Sequence, residues 1–93
     1  MAYMGIDPTS VRYIEAEHAF RGLGVSKRAM VALIKAGVFN PGALAMAPWT
    51  DSEAGAKFSS LRWRLSVDPD CTPRDIAQLE RLRADLRQRA SAA

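Results

Sequence analysis

The chain has one cysteine, Cys71, and one histidine, His18, in 93 residues. A lone cysteine cannot close an internal disulfide, and one thiolate with one imidazole falls short of a multi-ligand zinc site. Any metal would have to be held by carboxylates, and no metal or cofactor is expected. Long apolar runs are also missing. The longest, Ala29 to Ile34, is far short of the ~20 residues that a membrane span requires. The first residues, Met1 to Pro8, have no basic start and no apolar core, so they do not read as a secretion signal. The chain is therefore expected in a reducing cytoplasm and away from membranes. There is no Walker loop, no dinucleotide fingerprint and no Ser/His/Asp or Cys/His constellation, which points to a non-enzymatic protein without catalytic residues. Asp68 and Asp70 flank a proline and read as turn and capping residues, not as an acid–base pair. Cys71 stands next to a helix start, where a thiol pKa can be lowered, although a packed cysteine is the commoner outcome.

Acidic charge is missing from one interval. Between Glu17 and Asp51 there is no Asp or Glu, yet Arg21, Lys27, Arg28 and Lys35 lie there. The net charge is only +3, so the distribution matters more than the sum. A basic block between acidic flanks suits an anionic partner, and a solvated helix face is the plain alternative.

Helix signals run through the whole length, and no alternating stretch exceeds a few residues. The expected fold is all-α, a compact bundle of four or five short helices in a single domain over residues 1–93, with 1–6 and 90–93 loose. Asp7-Pro8 is a cap followed by proline, so a first helix is expected from there to about Arg21. Its inward stripe would be Tyr13, Ala16, Phe20 and Leu23, widened by Val11 and Ile14, with His18 partly buried at its edge. Gly22 and Gly24 suit a tight turn through positive φ, and Ser26 caps a second helix running to about Ala36. Met30, Leu33 and Ile34 form that helix's apolar face; Lys27, Val31 and Lys35 fall opposite, with Arg28 beside them. Gly37 ends it. Asn40-Pro41 starts a third helix to about Ala47, with Leu44 and Met46 inward and Trp49 plugging the corner. Thr50 to Glu53 has capping-box spacing and starts a fourth helix, with Phe58, Leu61 and Leu65 as its core stripe and Gly55 as a possible break before a restart near Ala56. Thr72 to Asp75 starts a last helix to about Arg89, with an Ile76, Leu79, Leu82, Leu86 seam. Arg81 with Asp85, and Asp85 with Arg89, have i,i+4 spacing.

The second helix and its turn carry the candidate chemistry. Amides near Gly24, Val25 and Ser26, opening onto a helix N-terminus, would suit a phosphate, with Lys27, Arg28 and Lys35 alongside. The candidate DNA-contacting residues are Gly22, Gly24, Ser26, Lys27, Arg28, Val31 and Lys35, extended by Lys57 and Arg62. The plain alternative is that the glycines only make a helix–helix turn. A rival reading is a protein–protein adaptor binding an enzyme or polymerase subunit through Trp49, Trp63, Leu82 and Leu86.

Leu23-Gly24-Val25-Ser26-Lys27-Arg28-Ala29, followed by Leu33, Gly37-Val38 and Gly42-Ala43-Leu44, resembles the helix-hairpin-helix DNA-binding domain at the C-terminus of the RNA polymerase α subunit. The likeness covers about residues 23–44. It implies minor-groove binding, with Arg28 where that family has its main DNA-contacting arginine and Val31 where the family has an asparagine. The same residues are similar to a helix-turn-helix of the excisionase or MerR-like kind, which implies the helix after Ser26 in the major groove. Phe20 stands where that family usually has a small residue. Both likenesses imply a bacterial or phage-style DNA-binding protein acting in transcription regulation, recombination or DNA packaging. RNA polymerase or a phage assembly would be the possible protein partner. Groove, sequence preference and oligomeric state stay open.

Overall fold

Helix starts in this chain are set by side-chain oxygens that accept a hydrogen bond from an amide of the first turn. The computed structural model describes residues 9–55 and 59–92, and among these it forms six helices and no strand. Ser10 caps α1 (Val11–Arg21) through Tyr13 N–H at 3.1 Å, and Ser26 caps α2 (Lys27–Lys35) through Ala29 N–H at 3.2 Å. Asn40 caps α3 (Pro41–Met46) through Ala43 N–H at 2.7 Å. Thr50 opens α4 (Asp51–Ala54) with a reciprocal box, since its own N–H donates to Glu53. Ser60 caps α5 (Leu61–Ser66), and Thr72 opens α6 (Pro73–Ala92) with a second box closed by Asp75.

Two helices stop by the same device. Gly24 and Gly37 have φ of 80° and 87°. Around Gly24, Val25 N–H donates to the Phe20 carbonyl and Gly24 N–H to the Arg21 carbonyl; around Gly37, Val38 N–H donates to Leu33 and Gly37 N–H to Ile34. This pair of bonds satisfies carbonyls that the helix end leaves without a partner, and it places the glycine in the left-handed region. A Cβ at either position would meet open space, so backbone conformation alone demands glycine there.

The core takes one face from each longer element. Phe20, Leu33, Leu44, Leu61, Leu65 and Leu79 are fully buried. Burying each such side chain contributes about 1.5–3 kcal/mol. α1 pairs with α2, while α3 and α5 pack on α6. The most enclosed element is α2, in which every residue from Ala29 to Ile34 is buried. The radius of gyration is 12.8 Å, near the ~12 Å expected of a compact chain of this length. Among the described residues, no helix is long and apolar enough to cross a membrane.

Arginines tie the elements together. Arg83 of α6 donates to the Ala47 carbonyl at 2.9 Å and to Glu53 at 3.2 Å, and its guanidinium lies over the Trp49 ring. Arg87 donates to the Ala45 carbonyl at 3.1 Å, and Arg64 donates to Ala36 at 3.1 Å. Each supplies a donor to carbonyls at the end of another helix, where they have no intrahelical partner. Trp49 Nε1 donates to Glu80 at 3.3 Å, so Trp49 plugs the α3–α6 corner as expected.

Several sequence expectations are corrected. Asp7-Pro8 lies outside the described residues, and the cap of α1 is Ser10. Val11 and Ile14 face solvent, as do His18 and Met46. Gly22 is right-handed at φ −62°, so only Gly24 of the hairpin pair uses a positive φ. The fourth helix is two helices: Gly55 ends α4 in the left-handed region, and the chain turns helical again at Leu61. Phe58 lies outside the described residues. α6 continues to Ala92, so 90–92 are helical. Asp85 pairs with Arg89 at 3.0 Å as expected, while Arg81 makes no ion pair with Asp85.

Candidate nucleic-acid interface

The glycine amides of the α1–α2 turn are engaged within the turn itself. Gly24 and Val25 spend their amides on the carbonyls of Arg21 and Phe20, and Ser26 Oγ is taken up by Ala29 N–H. Gly22 N–H donates to His18. The turn therefore closes on its own helix ends at Gly22, Gly24 and Val25, and an anion at this corner would meet the first-turn amides of α2 and the side chains beside them.

Those side chains divide into engaged and free. Lys35 reaches across to the turn after α5, at 3.1 Å from Asp70 and 3.6 Å from Asp68. The hydrogen bond that Lys35 donates to Asp70 is the main cause that raises its pKa; partial burial opposes it, and the charges of Asp68 and Asp70 add to it. Arg21 pairs with Glu17 at 2.9 Å. Val31, placed on the outer face from its spacing, is 6% exposed and cannot reach a base edge. The physical reason is that α2 is covered on more than one side, so its outer face is narrower than a 3.6-residue stripe suggests. Lys57 lies outside the described residues.

Lys27 and Arg28 remain. Both are exposed in the first turn of α2, beside Val31 and Asp70 in a shallow hollow of about 290 Å³. Arg12 stacks over Phe39, and Arg64, Arg83, Arg87 and Arg89 are held by the contacts above. Among the described residues, the cations whose side chains make no such contact are Lys27, Arg28, Arg62, Arg74 and Arg81. Arg74 and Arg81 were not anticipated from the sequence. The only signal for them was that the Ile76, Leu79, Leu82 and Leu86 seam turns them outward.

The alternative anchors are also sorted. Trp49 is buried and hydrogen-bonded, and Leu82 and Leu86 pack partly buried against the core. Trp63 is 36% exposed, at a cleft of about 240 Å³ that it shares with Trp49, Arg62 and Ser66. Cys71 is buried, and burial, followed by the charges of Asp75 and Asp68, pushes its thiol up to about 11. The lowered pKa considered from its place beside a helix start does not occur.

No known family, characterised protein or solved structure matches this chain.

Proposed function

We propose that this chain is a small non-enzymatic DNA-binding module that holds the phosphate backbone through the start of α2, with Lys27 and Arg28 as its contacts. The observation that carries this reading is their position: two exposed cations, unpaired among the described residues, stand in the first turn of a helix. Cations there oppose the positive end of the helix dipole, so the fold gains nothing from them, whereas a bound phosphate would. Side-chain contacts to phosphate position a protein without specifying sequence. With Val31 buried, binding at this face is tolerant of sequence, as suits an accessory part in transcription, recombination or packaging. The test is a fluorescence-anisotropy titration of random-sequence duplex over a range of salt. Replacing Lys27 and Arg28 by Ala should weaken binding and reduce the log–log salt slope by about 1.8, at ~0.9 per phosphate contact. Unchanged affinity and slope would refute the reading.

Trp63 favours a second reading, a protein partner, because a large aromatic side chain is half open at a cleft rimmed by Arg62. A Trp63→Ala chain that stays folded and binds duplex like the wild type would leave room for that reading beside the first.

A further inference from the structure

Resting on the backbone-binding reading above, we propose that α6 supplies the second half of the contact surface: Arg74 and Arg81 hold phosphates of a DNA duplex that also rests on Lys27 and Arg28.

Three observations lead there. The first is position. Gln78 Nε2 donates to the Gly24 carbonyl at 3.2 Å, which fixes the N-terminal half of α6 against the α1–α2 turn. Arg74 lies four residues before Gln78 and Arg81 three after, so all three share one face of the helix. Both arginines are exposed. The second is elimination. Of the five cations free among the described residues, two stand in the first turn of α2, after the turn that Gln78 reaches, and two flank Gln78 on α6. Arg62 is the exception, on α5 beside Trp63.

The third is the local field. Arg74 sits in the first turn of α6, as Lys27 and Arg28 sit in the first turn of α2. Three cations thus occupy helix N-termini, where a positive charge is unfavourable. Residues that break a local rule without a compensating contact point to function. A polyanion laid across both helix starts compensates all three at once. Nearby acids are engaged elsewhere: Asp70 by Lys35, Glu17 by Arg21, Asp85 by Arg89 and Glu80 by Trp49, while Asp75 is buried and closes the Thr72 capping box.

The experiment uses the full chain and a labelled random-sequence duplex of about 20 base pairs, titrated at several salt concentrations. Three proteins are compared with the wild type: K27Q/R28Q, R74Q/R81Q and R74K/R81K. Far-UV circular dichroism checks that helicity is retained. R74Q/R81Q is expected to bind about tenfold or more weakly at low salt, with a slope smaller by up to about 1.8. R74K/R81K should keep both slope and affinity near wild type, because a point charge suffices on phosphate. Wild-type behaviour in R74Q/R81Q with weakened K27Q/R28Q overturns the role of α6 and leaves the α2 reading standing. Wild-type behaviour in K27Q/R28Q, or no wild-type binding at low salt, overturns the α2 reading itself. Tighter binding to a single strand of the same length overturns the assignment to duplex.

Discussion

Removing the charge of Lys27 and Arg28 should make the protein more stable. Both side chains lie in the first turn of α2, that turn holds no acidic residue, and neither makes an ion pair among the described residues. The partial positive charge of the helix start repels them, at about 0.3–1 kcal/mol for each exposed charge at low ionic strength. Lys, Arg and Gln differ little in helix propensity, so the K27Q/R28Q double substitution changes charge and little else. Two opposing terms are small. Asp70 lines the same hollow and Glu17 lies near Lys27, but each carboxylate already faces a nearer cation, and exposed pairs contribute little. Taking the lower part of the range for both sites gives a gain of about 0.6–1 kcal/mol. For a domain of this size that is a rise in Tm of roughly 3–6 °C. The assay is thermal unfolding followed by circular dichroism, at low salt and at about 0.5 M salt, where screening should remove most of the gain. A fall in Tm would refute the reasoning. It would mean that Lys27 and Arg28 hold the fold together, and the argument that they are reserved for an external anion would lose its premise.

Arg83 should behave in the opposite way. Arg83→Ala removes the bonds to the Ala47 carbonyl and Glu53 together with the contact on Trp49, and should cost about 2–4 kcal/mol, read as a lower denaturant midpoint. Arg83→Lys should recover only part of this, because one ammonium does not reproduce the fork. Cys71, with its thiol pushed up to about 11, should react with an alkylating agent at pH 8 about a hundredfold more slowly in the folded chain than in the denatured one. Equal rates would show the thiol to be accessible and ordinary. Two charges set opposite pH limits. The raised pKa of Lys35, caused first by Asp70, gives stability that is full below 10.5 and is lost as pH rises through the folded value. The lowered pKa of Glu53, caused first by the Thr50 N–H, gives stability that is present above 4.5 and is lost as pH falls through the folded value. Unfolding scans of Lys35→Met and Glu53→Gln should therefore flatten the alkaline and the acid limb respectively.

Local chemistry was legible in the sequence where a single signal acted alone. Ser26, Asn40, Thr50 and Thr72 each stand where a hydroxyl or amide oxygen can reach back over three residues, and each caps a helix. Where two signals compete, the sequence leaves both outcomes open. Ser60 lies inside a spacing, Phe58 to Leu61 to Leu65, that continues a helix as well as it restarts one, and the left-handed Gly55 decided between them. Faces were harder than ends. The run Ala29 to Ile34 is apolar all round, the mark of a buried helix, and that signal outranks the period that placed Val31 outside.

The site was less legible than the fold, because the fate of each charge depends on contacts across the chain. Lys35 meets Asp70, Arg64 meets Ala36, Arg83 meets Ala47 and Arg87 meets Ala45, over separations of 35, 28, 36 and 42 residues. Position on the helix separates Lys35, in the last turn, from Lys27, in the first, but does not show which of them meets a carboxylate. The difference is that an acidic turn comes to rest beside Lys35, while the turn at Gly24 brings only a neutral glutamine from α6. A basic patch read from sequence is therefore an upper bound on the charge available to a partner. Folding spends some cations on carbonyls at helix ends and on carboxylates, and the remainder locates the surface. In this chain the remainder is Lys27 and Arg28 on α2, Arg62 on α5, and Arg74 and Arg81 on α6, and no longer includes Lys35. Arg74 and Arg81 do not stand out in the sequence because their neighbours there are acidic and apolar, whereas Gln78, on the same face of α6, reaches the Gly24 carbonyl across the chain.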